Sequence, residues 1–155
     1  MEPGIYILLL HGEGMVRVGS LGTITFTSGY YGYVGSALGP GGQARVSRHM
    51  RVAAGEGRRP RWHIDYLLMC PGFRLMRVYC ASTGERLECP LAQALALPSI
   101  PGFGSSDCGC NGHLFFSPDD PGNVILAAFE SVGLHPEVRC LQETFPDGRK
   151  DFGNV

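Results

Sequence analysis

The chain has 155 residues, 44% of them hydrophobic and 17% charged, with a formal net charge of −1. This composition is typical of one globular domain and excludes a disordered chain. One core of that size stabilises a domain without a disulfide or a metal ion. The longest apolar run near the start, Ile5 to Leu10, is far shorter than the roughly 20 residues of a membrane-spanning helix, and no basic region precedes it. We therefore expect a cytoplasmic protein without membrane contact.

The first part of the chain is predicted to form an antiparallel sheet of three or four strands. The strands expected from apolar runs and from alternation are 4–10, 15–18, 23–26 and 30–34. The turns expected at glycine-containing segments are 11–14, 19–22 and 28–29.

After a glycine- and proline-rich loop at 39–42, the pattern becomes mainly helical. The predicted helices are 43–54, 62–69, one that opens at a capping-box pattern at 82–85 or near Cys89, and 123–132. The predicted strands are 73–80, 114–116 and 137–142. This order predicts an α+β fold with a small central antiparallel or mixed sheet flanked by helices. Residues 1–116 are predicted to form the main domain, and 117–155 a C-terminal α/β extension packed on it.

The net charge conceals two segments of opposite charge. Residues 41–62 hold six arginines and one glutamate, a net charge of +5, whereas residues 117–155 hold three basic and seven acidic residues, a net charge of −4. A basic segment balanced by an acidic tail hides a polyanion site in a neutral total. The arginines expected to bind nucleic acid are Arg48, Arg51, Arg58, Arg59 and Arg61.

Two tyrosines, an arginine and a histidine are the first candidate site. Tyr6 closes a Gly-Ile-Tyr triplet and Tyr33 opens a Tyr-Val-Gly triplet, each on a predicted strand. Arg45 and His49 are four residues apart, so both project from one face of the predicted helix. A glycine loop before a helix start also presents free N–H groups to an anion. These residue types suit phosphodiester chemistry, although two core strands and a solvated helix face explain the same pattern.

Four longer segments accompany these residues, in the order GYYGYVGSALGPGG, WHIDYLL, TGERLEC and GFGSSDCGCNGH. Together with the two triplets, they make residues 3–116 resemble the GIY-YIG endonuclease superfamily. The resemblance is to a prokaryotic branch of unknown function that occurs alone or fused to endonuclease III-type glycosylases. It implies a metal-dependent endonuclease that hydrolyses DNA phosphodiester bonds in repair or processing.

The resemblance also implies roles for individual residues. Tyr6 and Tyr33 would lie side by side on the sheet, and one of them would position or deprotonate the attacking water. Arg45 would bind the scissile phosphate and stabilise the charge that develops on it, while His49 would assist proton transfer. Glu88 would be the single protein ligand of one Mg²⁺ or Mn²⁺ ion, which keeps several waters and takes substrate oxygens as further ligands.

The sequence departs from the superfamily pattern at several points. Tyr6 and Tyr33 are 27 residues apart, which is longer than usual, and an extra hairpin would explain the difference. The late asparagine of the superfamily has no clear counterpart, and Asp107 or Ser106 stands near its place. Glu85 competes with Glu88 for the role of metal ligand.

A loop rich in cysteine, glycine and histidine is expected to form one edge of the site. The residues predicted at this edge are His63, Asp107, Cys108, Cys110 and His113. For His63, a satisfied core histidine is the simpler interpretation. The spacing of the two cysteines and His113 also resembles a zinc site, but zinc takes four ligands in structural sites. Because Cys70, Cys89 or Asp107 would have to complete the set, zinc is the disfavoured interpretation.

Three functions therefore stay open at this point. The first is a metal-dependent endonuclease acting on structured or damaged DNA. The second is a catalytically inactive nucleic-acid-binding module with the same fold. The third is a protein-interaction or zinc-binding module, which the Cys/His loop and the acidic tail suggest. A homo-oligomer is compatible with each of them.

Overall fold

The computed structural model describes residues 3–37, 44–57, 59–104, 110–144 and 150–152. Some predicted features lie outside these ranges, namely the loop at 39–42, Arg58, Ser106, Asp107 and Cys108. The strands are β1 (Gly4–Arg17), β2 (Thr23–Ala37), β3 (Phe73–Ser82), β4 (Leu114–Ser117), β5 (Glu137–Thr144) and β6 (Lys150–Phe152). The helices are α1 (Ala44–Arg51), α2 (His63–Leu68), α3 (Glu88–Leu95) and α4 (Gly122–Ser131).

The strands form one antiparallel sheet in the order β4-β2-β1-β3-β5-β6. The long strands β1 and β2 lie near its centre, and the helices pack on its two faces. The predicted α+β architecture, with a small antiparallel sheet flanked by helices, is confirmed.

β1 and β2 form one long hairpin where the sequence predicted three or four shorter strands. The ladder runs from Gly4 opposite Ala37 to Arg17 opposite Thr23, and a short 3₁₀ turn closes it. The predicted turn at 11–14 stays within β1, where the register shifts between Gly12 and Gly14. A glycine inside a strand often marks such a bulge instead of a turn. The long separation of the two tyrosines therefore comes from lengthening of one hairpin, not from an extra one.

The other predicted elements lie close to their expected positions, except at two helix ends, whereas β6 was not predicted. α1 continues into one wider π-helical turn, Val52–Glu56, before the chain leaves the helix. α3 begins at Glu88 and not at the capping-box pattern, since Ser82 is still part of β3. Pro90 is accommodated in the first turn of α3, where the backbone N–H that proline lacks has no intrahelical partner in any case.

Alternate residues of β1 divide the core into two layers. Ile5, Ile7 and Leu9 face one side and pack against α3 and α4. Tyr6, Leu8 and Leu10 face the other side and pack against α1 and α2. All six are almost fully buried, because helices cover the sheet on both sides. We call the first side the α3/α4 face and the second the α1/α2 face.

The C-terminal elements continue this architecture. α4 packs on α3, and β5 pairs with the edge of β3, with Arg77 opposite Cys140 and Cys80 opposite Glu137. Arg77 also binds Asp120 and donates a hydrogen bond of 2.7 Å to the hydroxyl of Tyr79. Within the described ranges, every helix is too short or too polar to traverse a bilayer.

Candidate active site

A polar cleft of about 410 Å³ lies beside the β1–β2 pair and brings together seven of the predicted site residues. Its walls include Tyr6, Tyr33, Arg45, Arg61, Trp62, His63, Arg86, Glu88 and His113. A larger groove of about 590 Å³ beside β3 and β5 has, among the described residues, none of the predicted catalytic side chains in its walls. The smaller cleft is therefore the candidate active site.

Tyr6 and Tyr33 lie side by side in this cleft, with ring centroids 6.5 Å apart. Tyr6 is paired with Gly35, two residues beyond Tyr33, so both tyrosines project from the same face of the sheet. A Cβ atom on Gly35 would collide with the Tyr6 ring. The glycine of the Tyr-Val-Gly triplet therefore provides the space in which the first tyrosine lies.

The His49 ring lies 5.4 Å from that of Tyr6 and 6.5 Å from that of Tyr33, centroid to centroid, and His49 is only 1% exposed. Its Nε2 atom is 2.9 Å from the Tyr6 hydroxyl oxygen. Burial lowers the pKa of His49 from 6.5 to about 4, although the nearby Asp65 carboxylate opposes this. The imidazole is therefore neutral at pH 7.

The surroundings of its second nitrogen indicate which tautomer His49 adopts. Nδ1 is 3.9 Å from an Asp65 carboxylate oxygen, and within the described part of the chain it makes no hydrogen bond. A lone pair on Nδ1 would be repelled by that carboxylate, so we infer that Nδ1 carries the proton. Nε2 is then free to accept the proton of the Tyr6 hydroxyl.

Burial keeps both tyrosine hydroxyls protonated. It raises the pKa of Tyr33 to about 12, and burial together with the neighbouring Tyr33 raises that of Tyr6 well above its usual range. The charge of Arg45 opposes the rise in both tyrosines, and the Glu88 carboxylate adds to it. Arg45 and Glu88 therefore have opposite effects on the pKa of both tyrosines, and all four residues line the same cleft.

Three guanidinium groups surround the half-buried ring of Trp62. Those of Arg45, Arg48 and Arg61 lie 5.0, 4.5 and 4.8 Å from its ring centroid. These distances fall within the range of cation–π attraction. The tryptophan therefore organises the cationic side of the cleft.

Asp65 is fully buried and fixes this arrangement. It accepts two hydrogen bonds from Arg48, at 3.0 and 2.9 Å, and two from the backbone N–H groups of Arg61 and Trp62, at 2.7 and 3.1 Å. Burial raises the pKa of Asp65, but these hydrogen bonds outweigh it and leave the pKa below its usual value. Asp65 therefore remains a carboxylate and holds the start of α2 against α1.

The histidine two residues before Asp65 has a different environment. His63 lines the cleft, and its Nδ1 atom accepts a hydrogen bond of 3.0 Å from the backbone N–H of Gly104. Gly104 has a φ of 69° and lies against the Tyr33 ring, where a Cβ atom would come within 2.8 Å. His63 thus holds the following loop close to the tyrosines.

The predicted arginines are in three different environments. Arg45 and Arg61 line the cleft, and Arg45 donates a hydrogen bond of 2.8 Å to the carbonyl of Ser36. The guanidinium of Arg48 is bound to Asp65. Arg51 and Arg59 are exposed, and the cleft walls, as far as the structure describes them, do not include these two.

Arg86 also lines the cleft, although the sequence did not single it out. It lies two residues before Glu88 within the TGERLEC segment. The signal that could have identified Arg86 from the sequence was its position two residues before the candidate metal ligand.

Glu88 is the first residue of α3, and its side chain is 33% exposed within the cleft. A partly exposed carboxylate in a polar cleft is a donor that Mg²⁺ or Mn²⁺ accepts, because these ions keep several waters as ligands. Glu85, the competing candidate, is exposed and is absent from the described cleft walls. Glu88 is therefore the carboxylate in the described cleft walls whose chemistry suits a hard divalent ion.

A second group of candidate metal ligands adjoins the cleft. The ligand atoms of Cys89, Cys110 and His113 all lie within 4.8 Å of one another. The two Sγ atoms are 2.8 Å apart, and the Cys89 Sγ atom is 4.0 Å from His113 Nε2. These three residues therefore form a group that can hold a metal ion. The sequence named Cys89 only as one of several completing ligands.

The sequence was compared with known protein families, curated proteins and solved structures. No curated protein and no solved structure matches the chain. A family model described as a domain of unknown function, DUF123, matches residues 5–134. The matched range begins in β1 and continues through α4, and it contains every cleft residue named above. The chain therefore belongs to the DUF123 family.

Proposed function

We propose that this protein is a divalent-metal-dependent endonuclease of the GIY-YIG type that hydrolyses DNA phosphodiester bonds. The observation that carries the proposal is the Tyr6 hydroxyl, 2.9 Å from the Nε2 atom of a buried, neutral histidine. Tyr6 lines one cleft with Tyr33, Arg45 and Glu88, and His49 contacts it from the buried side. A proton acceptor, a phosphate-binding cation and a metal-binding carboxylate are the groups that phosphodiester hydrolysis requires.

Tyr6 and His49 act as a proton relay. A water held at the Tyr6 oxygen gives up a proton to it as the phosphorus–oxygen bond forms. The Tyr6 hydroxyl proton passes at the same time to Nε2 of His49, so the tyrosine stays neutral. The Asp65 carboxylate, 3.9 Å from Nδ1, stabilises the imidazolium that results.

Arg45 binds the scissile phosphate and stabilises the negative charge that develops on it. Its guanidinium is positioned on two sides, by the Ser36 carbonyl and by the Trp62 ring. It is also exposed, so a phosphate can approach it from solvent. Arg48 is a positioning residue, because Asp65 already neutralises its charge.

Glu88 is the residue that would hold the Mg²⁺ or Mn²⁺ ion. Such an ion supplies Lewis-acid stabilisation of the leaving oxygen. The carboxylate enters the cleft from the start of α3, whereas the arginines around Trp62 enter it from α1 and the segment before α2. The proposed cation ligand and the phosphate-binding Arg45 thus enter the same cleft from different elements.

Arg61 and Arg86 extend the phosphate-binding surface beyond Arg45, because all three line the cleft. Arginines that bind the phosphate backbone give affinity without base specificity and make it fall steeply with salt. The substrate class is therefore DNA recognised through its shape, such as branched, nicked or damaged duplexes. A cytoplasmic location is part of the same proposal.

The experiment that tests this function is a cleavage assay on labelled DNAs with Mg²⁺ or Mn²⁺. The panel comprises duplex, flap, four-way junction, abasic and single-stranded DNA. We expect metal-dependent nicking that Glu88→Gln abolishes and its matched control Glu85→Gln retains. Both changes remove one carboxylate charge, but only Glu88 lines the cleft.

Binding to the same DNAs separates the remaining outcomes. Salt-sensitive binding without nicking on any substrate would contradict the endonuclease and favour the inactive binding module. A protein that neither binds nor nicks any of these DNAs would contradict both nucleic-acid functions and favour an interaction module. Circular dichroism of each variant shows whether a loss comes from the site or from unfolding.

A further inference from the structure

The thiol and imidazole groups beside the cleft have no part in the proposed hydrolysis. Cys89 is the second residue of α3, and Cys110 and His113 precede β4. They are 21 and 24 residues from Cys89 along the chain, yet their ligand atoms meet within 4.8 Å. Cys89 and Cys110 are half-buried and His113 is buried, so the group is largely shielded from water.

We propose that Cys89, Cys110 and His113 bind a zinc ion that joins the start of α3 to the segment before β4. Two thiolates and one imidazole are the ligands that Zn²⁺ prefers, whereas Mg²⁺ prefers oxygen. This ion is therefore distinct from the hard cation proposed at Glu88. Zinc takes four ligands in such sites, so a fourth donor, either a further thiolate or an oxygen ligand, joins these three.

The orientation of the His113 ring supports a metal over a disulfide between the two cysteines. Nε2 faces the Cys89 sulfur at 4.0 Å, and Nδ1 faces the Glu88 carboxylate at 4.0 Å. Metal-binding histidines commonly direct their other nitrogen towards a carboxylate, which fixes the ring and raises its basicity. A disulfide would make no use of this arrangement.

The position of the zinc gives it a structural role next to the catalytic cleft. Cys89 follows Glu88 directly, so a metal bond at Cys89 restrains the backbone that carries the Glu88 carboxylate. His113 lines the cleft and neighbours Glu88 as well. Zinc would therefore hold Glu88 in place without taking part in the hydrolysis itself.

Metal analysis of the full chain, purified under reducing conditions without added metal, tests this site. We expect about one zinc per chain that survives dialysis and is released when a mercurial reagent blocks the thiols. Cys89→Ser and Cys110→Ser should lose the zinc, whereas the matched controls Cys70→Ser and Cys140→Ser, at two half-buried free thiols elsewhere, should keep it. Zinc retained in the first pair, or lost equally in all four, overturns the proposal.

A second measurement covers the case in which the cysteine variants fail to fold. Cobalt bound to the wild-type chain should give sulfur-to-metal charge-transfer bands of at least two thiolates, with d–d bands typical of tetrahedral geometry. A spectrum without these bands contradicts the site. A metal-free protein whose mass is lower by two hydrogens contradicts it as well, and would identify a disulfide instead.

One variant separates this proposal from the proposed function. Arg45→Ala should keep the zinc, because Arg45 lies on α1 and is not among the three ligands, even though DNA cleavage falls sharply. A zinc-containing protein that cleaves no DNA would sustain the metal site and contradict only the endonuclease. A protein that cleaves DNA but contains no zinc would support the endonuclease and contradict the zinc site.

Discussion

The two faces of the central sheet are built from alternate residues of the same strands, yet they bury different chemistry. On the α3/α4 face, Ile5, Ile7 and Leu9 pack against aliphatic and aromatic side chains such as Phe129. On the α1/α2 face, the same strand contributes Tyr6 beside His49, above the buried Asp65.

The two faces differ in what keeps their buried side chains in place. Apolar burial stabilises without specifying geometry, and the α3/α4 face contributes mainly in this way. Buried polar groups stabilise only when each has its partner, so the α1/α2 face needs the hydrogen bonds of Asp65 to keep its histidine and arginines in place. We therefore expect substitutions on the α3/α4 face to change stability and those on the α1/α2 face to change activity or pH dependence.

The largest expected effect is on catalysis at the α1/α2 face. Arg45→Ala should lower the rate of DNA cleavage by about 10² to 10³-fold, because it removes a preorganised cation at the reacting phosphate. Arg51→Ala is the matched control, since Arg51 is exposed on the same helix but is absent from the described cleft walls. Single-turnover rates at saturating DNA measure the difference, and equal rates would contradict the role of Arg45.

On the α3/α4 face, the largest expected effect is on stability. Phe129 is fully buried, so Phe129→Ala should lower the free energy of unfolding by about 3–5 kcal/mol through lost burial and the cavity left behind. Leu126→Ala on the same helix should cost less than about 1 kcal/mol, because Leu126 is 42% exposed. Urea denaturation measures both. Cleavage per folded molecule should not change in either variant.

A third prediction concerns the acid sensitivity of the α1/α2 face. The pKa of His49 is lowered from 6.5 to about 4 by burial, so between these values the unfolded chain binds a proton that the folded chain does not. Stability should therefore fall as pH is lowered from 6.5 to about 4, by up to about 3 kcal/mol from this group, and this part of the loss should then level off.

The His49→Gln variant isolates that contribution. Burial also lowers the pKa of His63 and His113, so these residues act in the same direction. The difference in slope between wild type and His49→Gln therefore measures His49 alone. Unfolding free energies at several pH values decide, and parallel curves for wild type and His49→Gln would contradict the prediction.

A smaller loss of stability is expected from Asp65→Asn, about 2 kcal/mol, because the amide keeps some hydrogen bonds but leaves Arg48 without its counter-charge. The lowered pKa of Asp65 means that its contribution is present at neutral pH and is lost only as pH falls below about 3.9 and through the folded-state value. This window lies below that of His49. Acid unfolding curves of the two variants should therefore differ from wild type in separate pH ranges.

The smallest expected effect is on DNA affinity. Arg61→Ala should weaken binding roughly equally across DNA sequences and reduce the salt dependence by about one phosphate contact. Arg59→Ala provides the control, because Arg59 is exposed but is absent from the described cleft walls. Binding isotherms at several salt concentrations compare the two. An equal reduction in both slopes would show that the whole basic segment binds diffusely.

Periodicity predicted the element types better than it predicted their ends. The alternation of Tyr6, Leu8 and Leu10 with Ile5, Ile7 and Leu9 is visible in the sequence, and it gives both buried faces. The turn predicted at 11–14 was wrong, because a glycine that opens a turn and one that forms a bulge look alike in sequence. The pairing partner of the strand decides between these two outcomes.

The candidate site was predictable in part, for a similar reason. The one-turn spacing of Arg45 and His49 indicated a shared helix face, and the motif resemblance added Tyr6, Tyr33 and Glu88, which line one cleft with Arg45. The contacts of Asp65 were not predicted, and Cys89 was only one of three residues named to complete a zinc site. Each acts through a partner 17 to 24 residues away, Arg48 for Asp65 and Cys110 or His113 for Cys89, and spacing along the chain carries no information about such a contact.

The sequence by itself determined the α+β class, the two-sided burial of the sheet and the residue types available for phosphate chemistry, because each of these follows from local periodicity and composition. The tertiary structure decided which of those residues meet. It buried His49 so that its imidazole stays neutral, paired Arg48 with Asp65 and left Arg45 exposed to the cleft. Desolvation and charge pairing depend on neighbours in space, so only the folded chain distinguishes the buried, neutral His49 and the exposed Arg45 from the ion-paired Arg48.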